Sequence, residues 1–461
     1  MKIHSRQLIL FILGLLFVMP LGFAYIDPGT GGYLLQAMWQ YVVAMFAFAS
    51  AFVIHFFRFT LKNWFKKPAV KYGSISLSFL LIFIGLVFWI LPHMATTAMQ
   101  DVDDFDPDVV GVIYHNPELA YNGYSLYEGK LIDMDGNLVN EWTRGIYLGY
   151  IASDGYYYAQ HCFECLTWGK YTWDGEVVWE LDIPIHHEII ESPWGTIFTT
   201  GKTVHDYNGR NVEFDTILEF DTDGNLLREF SLWDNFQEFK KFHAPLELDK
   251  PRNALLADNT RKDVTSIWGG NYDYYHLNSI SFVPLTPYYG MHPAFNPGNW
   301  IISFRHGSMV FILDNETQQI HWTGIHNQVP GTLDGQHTPF MLENGNIIIM
   351  DNGRGRGWSR VIELNPVTMQ LEWEYVADPK EDFFTMSQGM AQPLTNGNFL
   401  ITESEPGRVF EITRDGELVW DFYHPEAQGP HNSAVEELWG KRQQIYRMTR
   451  YSADFIEQFL E

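Results

Sequence analysis

The sequence predicts an all-β fold, a six-bladed β-propeller, preceded by an α-helical membrane module. Three observations predict it. A strand–turn–strand unit ending in an aromatic residue recurs six times after residue 110. A second hairpin unit with a Gly turn alternates with it. Residues 1–100 instead hold three apolar runs with basic flanks, and long amphipathic helices are missing from the rest of the chain.

The amino-terminal runs come first. Lys2 and Arg6 precede the apolar stretch 8–23, which ends Gly-Phe-Ala at Ala24. Residues 1–24 read as a signal peptide or a first transmembrane span. Residues 25–100 read as a membrane module whose two spans, about 34–57 and 75–94, have the length to cross a bilayer. Between the spans lie Arg58, Lys62, Lys66, Lys67 and Lys71, which place that loop in the cytoplasm. The rest of the chain is then extracytoplasmic, on the cell membrane. An acidic linker, 101–110, leads into the propeller at 111–461.

Charge supports this division. The net charge is −26, yet residues 1–100 carry seven Lys/Arg and only Asp27 as an acid. The exported part is strongly acidic. Such a surface repels nucleic acid and anionic membranes, so no nucleic-acid partner is expected. The two cysteines, Cys162 and Cys165 in HCFEC, are placed for a short-loop disulfide in an exported domain. His161 beside them admits a metal-site reading, but no second C-x-x-C accompanies it.

The repeated aromatic unit reads LIDMDGNLVNEW to Trp142, YTWDGEVVWEL with Trp179, and LEFDTDGNLLREF to Phe230. It continues with FILDNETQQIHW to Trp322, IELNPVTMQLEW to Trp373 and FEITRDGELVW to Trp420. These are the outer hairpins of six blades, and the terminal aromatics pack between blades. The closing stretch 443–451 is strand-like and is expected to pair into the first blade near residues 111–114, which removes an exposed edge.

The inner hairpins carry the chemistry. The clearest is GQHTPFMLENGNIIIMDNGR at 335–354, with strands 338–342 and 346–350 about an Asn-Gly turn. His337 lies eight residues before Gly345, and His187 eight before Gly195. Gly389 holds the same place before Gly397. A copy starting at His276 is split by an insertion, so its Gly298 comes later, and Arg305 folds back near His276 and Asn278. Three blades thus present a His at one end of the central channel. His186 adjoins His187 and can stand in for it, although the hairpin register favours His187. Lys202 and Asn352 hold the matching hairpin ends. His306 should point the other way along its strand. His205, His243, His292, His321, His326 and His424 have no repeat partner.

At this point a resemblance appears. From about residue 111 to the end, the chain resembles the bacterial arylsulfotransferases that use no nucleotide sulfate donor. The matching segments are GVIYHNPELAYNGYSLY, LIDMDGNLVNEW, HHEII, HLNSI, SFR, GQHTPFMLENGNIIIMDNGR and IYRMTRYSADF. The resemblance implies a ping-pong reaction. A His takes a sulfuryl group from an aryl sulfate ester and passes it to a phenolic or other hydroxyl acceptor, with no cofactor or metal. By motif, His337 is the nucleophile, and His187, His276, Asn278 and Arg305 complete the site. Within that set, Arg305 and His276 hold the sulfuryl oxygens and His187 serves as acid/base. The membrane module departs from the soluble periplasmic members. The insertion between Val283 and Asn299 is expected beside His276, where it would reshape the acceptor pocket. Two other readings stand beside this one. One is a non-catalytic propeller that binds a ligand or partner at the membrane surface, and the other is a metal-dependent hydrolase with the three His as ligands.

Overall fold

The computed structural model describes residues 109–143, 148–160, 166–242, 269–270, 272–427 and 442–460. The chain divides into two units, Met1–Val102 and Asp103–Glu461. The spans read at 34–57 and 75–94, the residues 1–24, most of the linker, and Cys162 with Cys165 lie outside the described residues. Among the described residues, no helix is long and apolar enough to cross a membrane.

The second unit is a six-bladed propeller, as expected. Its six sheets, antiparallel apart from one short parallel pairing in blade 3, are each built on an innermost strand. In blade order these are Thr449–Ser452, Leu148–Ile151, His186–Glu191, Leu277–Phe282, His337–Met341 and Met390–Pro393. The 335–354 hairpin forms within one residue of expectation, as His337–Met341 and Ile347–Asp351. Gly345 takes a φ of +90°, which a turn this tight requires and a side chain disfavours.

The core is six apolar clusters, one for each junction between neighbouring blades. Strand alternation divides successive residues between two junctions. Ile347 and Ile349 pack toward blade 4, whereas Ile348 and Met350 pack toward blade 6. That is why the strand reads as an unbroken apolar run: both of its faces are buried.

The outer aromatics tie the junctions together. The indole N–H of Trp142 donates to the carbonyl of Thr172, Trp179 to Thr222, and Trp322 to Pro366. Trp373 donates to Arg414 and Trp420 to Met134. Each acceptor lies at the outer hairpin of the next blade, and the Trp420 bond closes the circle. Phe230 has no such donor and packs on Trp300 instead.

Ring closure differs from expectation in its partners. The tail strand Thr449–Ser452 pairs with Gly123–Tyr127 as the innermost strand of blade 1. The strand Gly111–His115 joins the outer edge of blade 6, beside Leu418–Tyr423. The first and last strands of the propeller are both used, and each covers an edge that would otherwise lie open.

The insertion also lies elsewhere. Phe282 pairs with Trp300 at one end of the blade 4 hairpin, while Leu277 pairs with Phe304 at the other. Six residues of strand, roughly 20 Å at about 3.3 Å each, separate the insertion from His276. It packs instead on the blade 5 turn. Tyr288 covers Gly345, and its hydroxyl accepts from Asn365 Nδ2 at 3.1 Å.

Candidate active site

The innermost strands of blades 3, 4 and 5 all start irregularly. Their registers slip between Thr199 and Thr200, between Leu277 and Ser279, and between His337 and Phe340. A bulge at a strand entry re-aims side chains that alternation would send sideways. His187 (φ +61°) and His276 (φ +55°) sit in left-handed backbone at these entries. Strain of this kind persists only where the surroundings hold it.

His337 is buried, and its tautomer is fixed by its neighbours. Asn352 Nδ2 donates to the carbonyls of Thr385 (2.9 Å) and Gln388 (3.0 Å). Its Oδ1 is therefore the atom turned to His337, 2.7 Å from Nδ1. Nδ1 carries the proton, and Nε2 holds a lone pair. The backbone N–H of Gln388 donates to that lone pair at 3.2 Å. Burial, then the charge of Arg305, pushes the imidazole down to about 3. At neutral pH the ring is uncharged, with its Nε2 lone pair intact.

His187 and His276 meet edge to face, with ring centroids 4.7 Å apart. His186 stands behind His187. Its Nε2 faces two acceptors, the Gly201 carbonyl at 3.2 Å and the Asp215 carboxylate at 3.3 Å, so it carries a proton. His187 Nδ1 and His186 Nδ1 share a hydrogen bond at 2.6 Å. His276 donates from Nδ1 to Asp273 Oδ2 at 2.7 Å. Burial holds both rings well below the usual imidazole range. For His187 the nearby His276, His186 and Lys202 push the same way, whereas for His276 the Asp273 carboxylate opposes it.

Arg305 is half-buried at the end of the blade 4 hairpin, where its backbone N–H donates to the His276 carbonyl at 3.1 Å. Burial and the neighbouring Arg354 lower it to about 10, and it remains a cation at neutral pH. Its Nε has no hydrogen-bond partner among the described residues. Asn278 is fully buried and donates from Nδ2 to the Gln336 carbonyl at 2.7 Å, so it steadies the backbone beside His337. The five expected residues thus come from blades 3, 4 and 5 to one end of the channel. Lys202 and Asn352 join them.

His306 corrects an expectation. Its ring lies 5.0 Å from that of His276, and burial pushes it down to about 4. The strand ends at Phe304, and the turn that follows breaks the alternation that would have turned His306 away. Of the His residues without a repeat partner, His243 lies outside the described residues and others make local contacts. His205 stacks on Trp233, His292 caps a short helix at Ala294, and His424 pairs with Glu128.

Four contributors escaped the sequence reading. Asp273 is held by the two-residue strand Tyr272–Asp273, which pairs in parallel with Val212 and Glu213 of blade 3. Gln388 belongs to the blade 6 entry. Glu405 organises that entry by accepting from the Ser387 hydroxyl (2.6 Å) and backbone N–H (2.9 Å). Arg447 comes from the tail, pairing with Glu188 at 2.6 Å and donating to the His187 carbonyl at 3.3 Å. Arg447 lies inside the IYRMTRY segment, and Asp273 stands three residues before His276. Those were the available signals.

A cavity of about 240 Å³ opens against Glu188 and Arg447. Tyr127, Tyr150, Phe340 and Tyr451 are among the residues that line it. Among the described residues, no three or more His, Cys, Asp or Glu side chains are grouped to hold a metal ion.

Comparison with known proteins follows from this geometry. A protein of unknown function from Bacteroides caccae is 14% identical, with a TM-score of 0.41, over 71% of this chain and 98% of that one. Virginiamycin B lyase from Staphylococcus aureus is 12% identical, with a TM-score of 0.32, over 68% and 87%. Likenesses this distant say nothing about the reaction. No curated protein matches. A family model, arylsulfotransferase (ASST), matches residues 171–425, from the third strand of blade 2 through blade 6. The chain belongs to the arylsulfotransferase (ASST) family and is an arylsulfotransferase-like enzyme.

Proposed function

We propose that the protein moves a sulfuryl group from an aryl sulfate ester to a phenolic or other hydroxyl acceptor through a sulfohistidine at His337. The observation that carries this reading is the state of His337. It is a neutral imidazole, held by Asn352 with its Nε2 lone pair toward the site and lying within the field of Arg305. A sulfuryl sulfur is electrophilic and its oxygens are anionic. It therefore needs an uncharged nucleophile with cationic donors beside it.

In the first half-reaction Nε2 attacks sulfur, the N–S bond forms and the S–O bond to the aryl group breaks. Arg305 holds two sulfuryl oxygens with its fixed fork of donors. The Gln388 N–H, displaced from Nε2 as sulfur arrives, is placed to donate to an oxygen. A neighbouring imidazole, His187 or His276, protonates the leaving phenolate. In the second half-reaction the same ring accepts the acceptor's proton as its oxygen attacks sulfur. The binding-propeller reading lacks a comparable support, because the family match favours the enzyme.

We also place the reaction on the extracytoplasmic side of the cell membrane, with residues 1–100 as the tether. This part rests on the sequence pattern alone.

The test uses the full-length protein and an aryl sulfate without acceptor. A burst of one phenolate per chain, with one sulfuryl group found on His337 by peptide mass analysis, is the expected result. His337→Asn abolishes both. A burst that survives His337→Asn sinks the proposal.

A further inference from the structure

The proposed reaction needs a ring that gives up a proton in one half-reaction and takes one in the other. Two imidazoles are available, and their surroundings differ. His187 has His186 on its Nδ1, with His276 and Lys202 close by. Among the described residues no carboxylate hydrogen-bonds to its ring, and an added proton there meets positive or potentially positive neighbours. His276 has a carboxylate. Asp273 Oδ2 lies 2.7 Å from its Nδ1, and the same oxygen accepts from Lys202 Nζ at 2.7 Å.

Asp273 is built in. It is buried, and its short strand is fixed by parallel pairing with Val212 and Glu213. The groups that face it are Lys202, His276 and His306. Burial alone would raise its carboxyl, but Lys202 and His276 outweigh burial and hold it well below the usual carboxylate range. Glu213 also pairs with Lys202, at 3.2 Å, so Lys202 does not cancel Asp273 outright. Arg305, His306 and His187 face His276 from its other sides.

We propose that Asp273 and His276 form a dyad in which His276 Nε2 is the proton-transfer atom of both half-reactions and Asp273 is its positioning residue. His187 is then a neutral ligand, which reverses the roles expected for these two rings. This rests on the sulfohistidine reading above. In the donor step His276 acts from its imidazolium form, with Nδ1–H on Asp273 and an Nε2 proton taken from solvent in the first turnover, and that Nε2 proton passes to the departing aryl oxygen as the S–O bond breaks. In the acceptor step the hydroxyl proton returns to Nε2 as the new S–O bond forms and the N–S bond to His337 breaks. The proton taken from the acceptor thus serves the next donor. The carboxylate keeps the Nδ1–H in place and stabilises the imidazolium that the acceptor step leaves for the next donor.

Asp273→Asn separates this role from packing. Its amide oxygen can take the place of Oδ2 and keep both the Lys202 and the Nδ1 contacts, so only the negative charge that stabilises the imidazolium is lost. The readout is the dependence on leaving group, measured on full-length protein as the rate of sulfo-enzyme formation. Phenyl sulfate needs its leaving oxygen protonated, whereas nitrophenyl sulfate leaves readily without a proton. Asp273→Asn should slow phenyl sulfate by ~10²–10³-fold and nitrophenyl sulfate by less than ~10-fold. Asp273→Glu should recover part of the loss. If Asp273→Asn does not fold, His276→Gln is read in the same way. Equal losses with the two donors overturn the dyad and leave the His337 chemistry standing. Failure of the unsubstituted protein to form a sulfo-enzyme overturns the reading on which the dyad rests.

Discussion

At the residue scale, burial does most of the chemical tuning. His337, the proposed nucleophile, is kept uncharged because burial and the nearby Arg305 charge make imidazolium costly there. Arg305 has two effects that one substitution can separate. It is the cation proposed to hold the sulfuryl oxygens, and its charge helps to depress His337. Arg305→Gln should lower the rate of sulfo-enzyme formation by ~10²–10³-fold, the usual cost of losing one such donor. It should also move the acid limb of the pH–rate profile upward. The sign follows from the lost charge: with Arg305 gone, His337 binds a proton more readily, and the nucleophile is lost at a higher pH on acidification. A stopped-flow burst measured across pH checks both parts. A rate loss with an unmoved acid limb would mean that Arg305 does not sense the His337 ring.

At the scale of elements, the hairpins were legible because their signals are local. Asn344-Gly345, period-two alternation and the terminal aromatics place strands within a residue or so. The dipeptide strand carrying Asp273 was not legible. It is too short for any period, and its partner lies some sixty residues earlier in another blade. The insertion was misplaced for a related reason. Nearness in sequence to His276 was taken for nearness in space, although a strand separates its two ends by its full length. The corrected position makes a prediction. Tyr288 covers the Gly345 turn and bonds to Asn365, at the end of the blade opposite the imidazoles. Tyr288→Ala should therefore cost about 1–2 kcal/mol of stability in a denaturant titration. KM for donor and acceptor should stay unchanged. A several-fold change in either KM would show that the insertion reaches the site after all.

At the scale of the whole molecule, closure of the ring and assembly of the site are one event. The six-fold repeat told of the blades, but it did not tell which residues the closing tail would bring along. That tail enters blade 1 at Thr449 and carries Arg447 across to Glu188, from the last segment of the chain to blade 3. Glu188 is buried, and burial raises its carboxyl even against Arg447. Removing one member of such a pair leaves an uncompensated group and typically costs about 3–5 kcal/mol, whereas replacing both with apolar residues is often neutral. Arg447→Met alone should thus destabilise the fold strongly, and Arg447→Met with Glu188→Leu should recover most of the loss. Function should not recover with it. Arg447 also bears on the His337 ring, so its charge is felt where the sulfuryl group is proposed to bind. The stable double variant should keep a KM for aryl sulfate raised by roughly tenfold, about 1.4 kcal/mol of lost charge-assisted binding. Thermal melts and donor kinetics on the same preparations decide it. If KM returns to that of the unsubstituted protein together with stability, Arg447 serves only to fasten the ring. If stability returns and KM does not, the closing tail supplies a working part of the anion site.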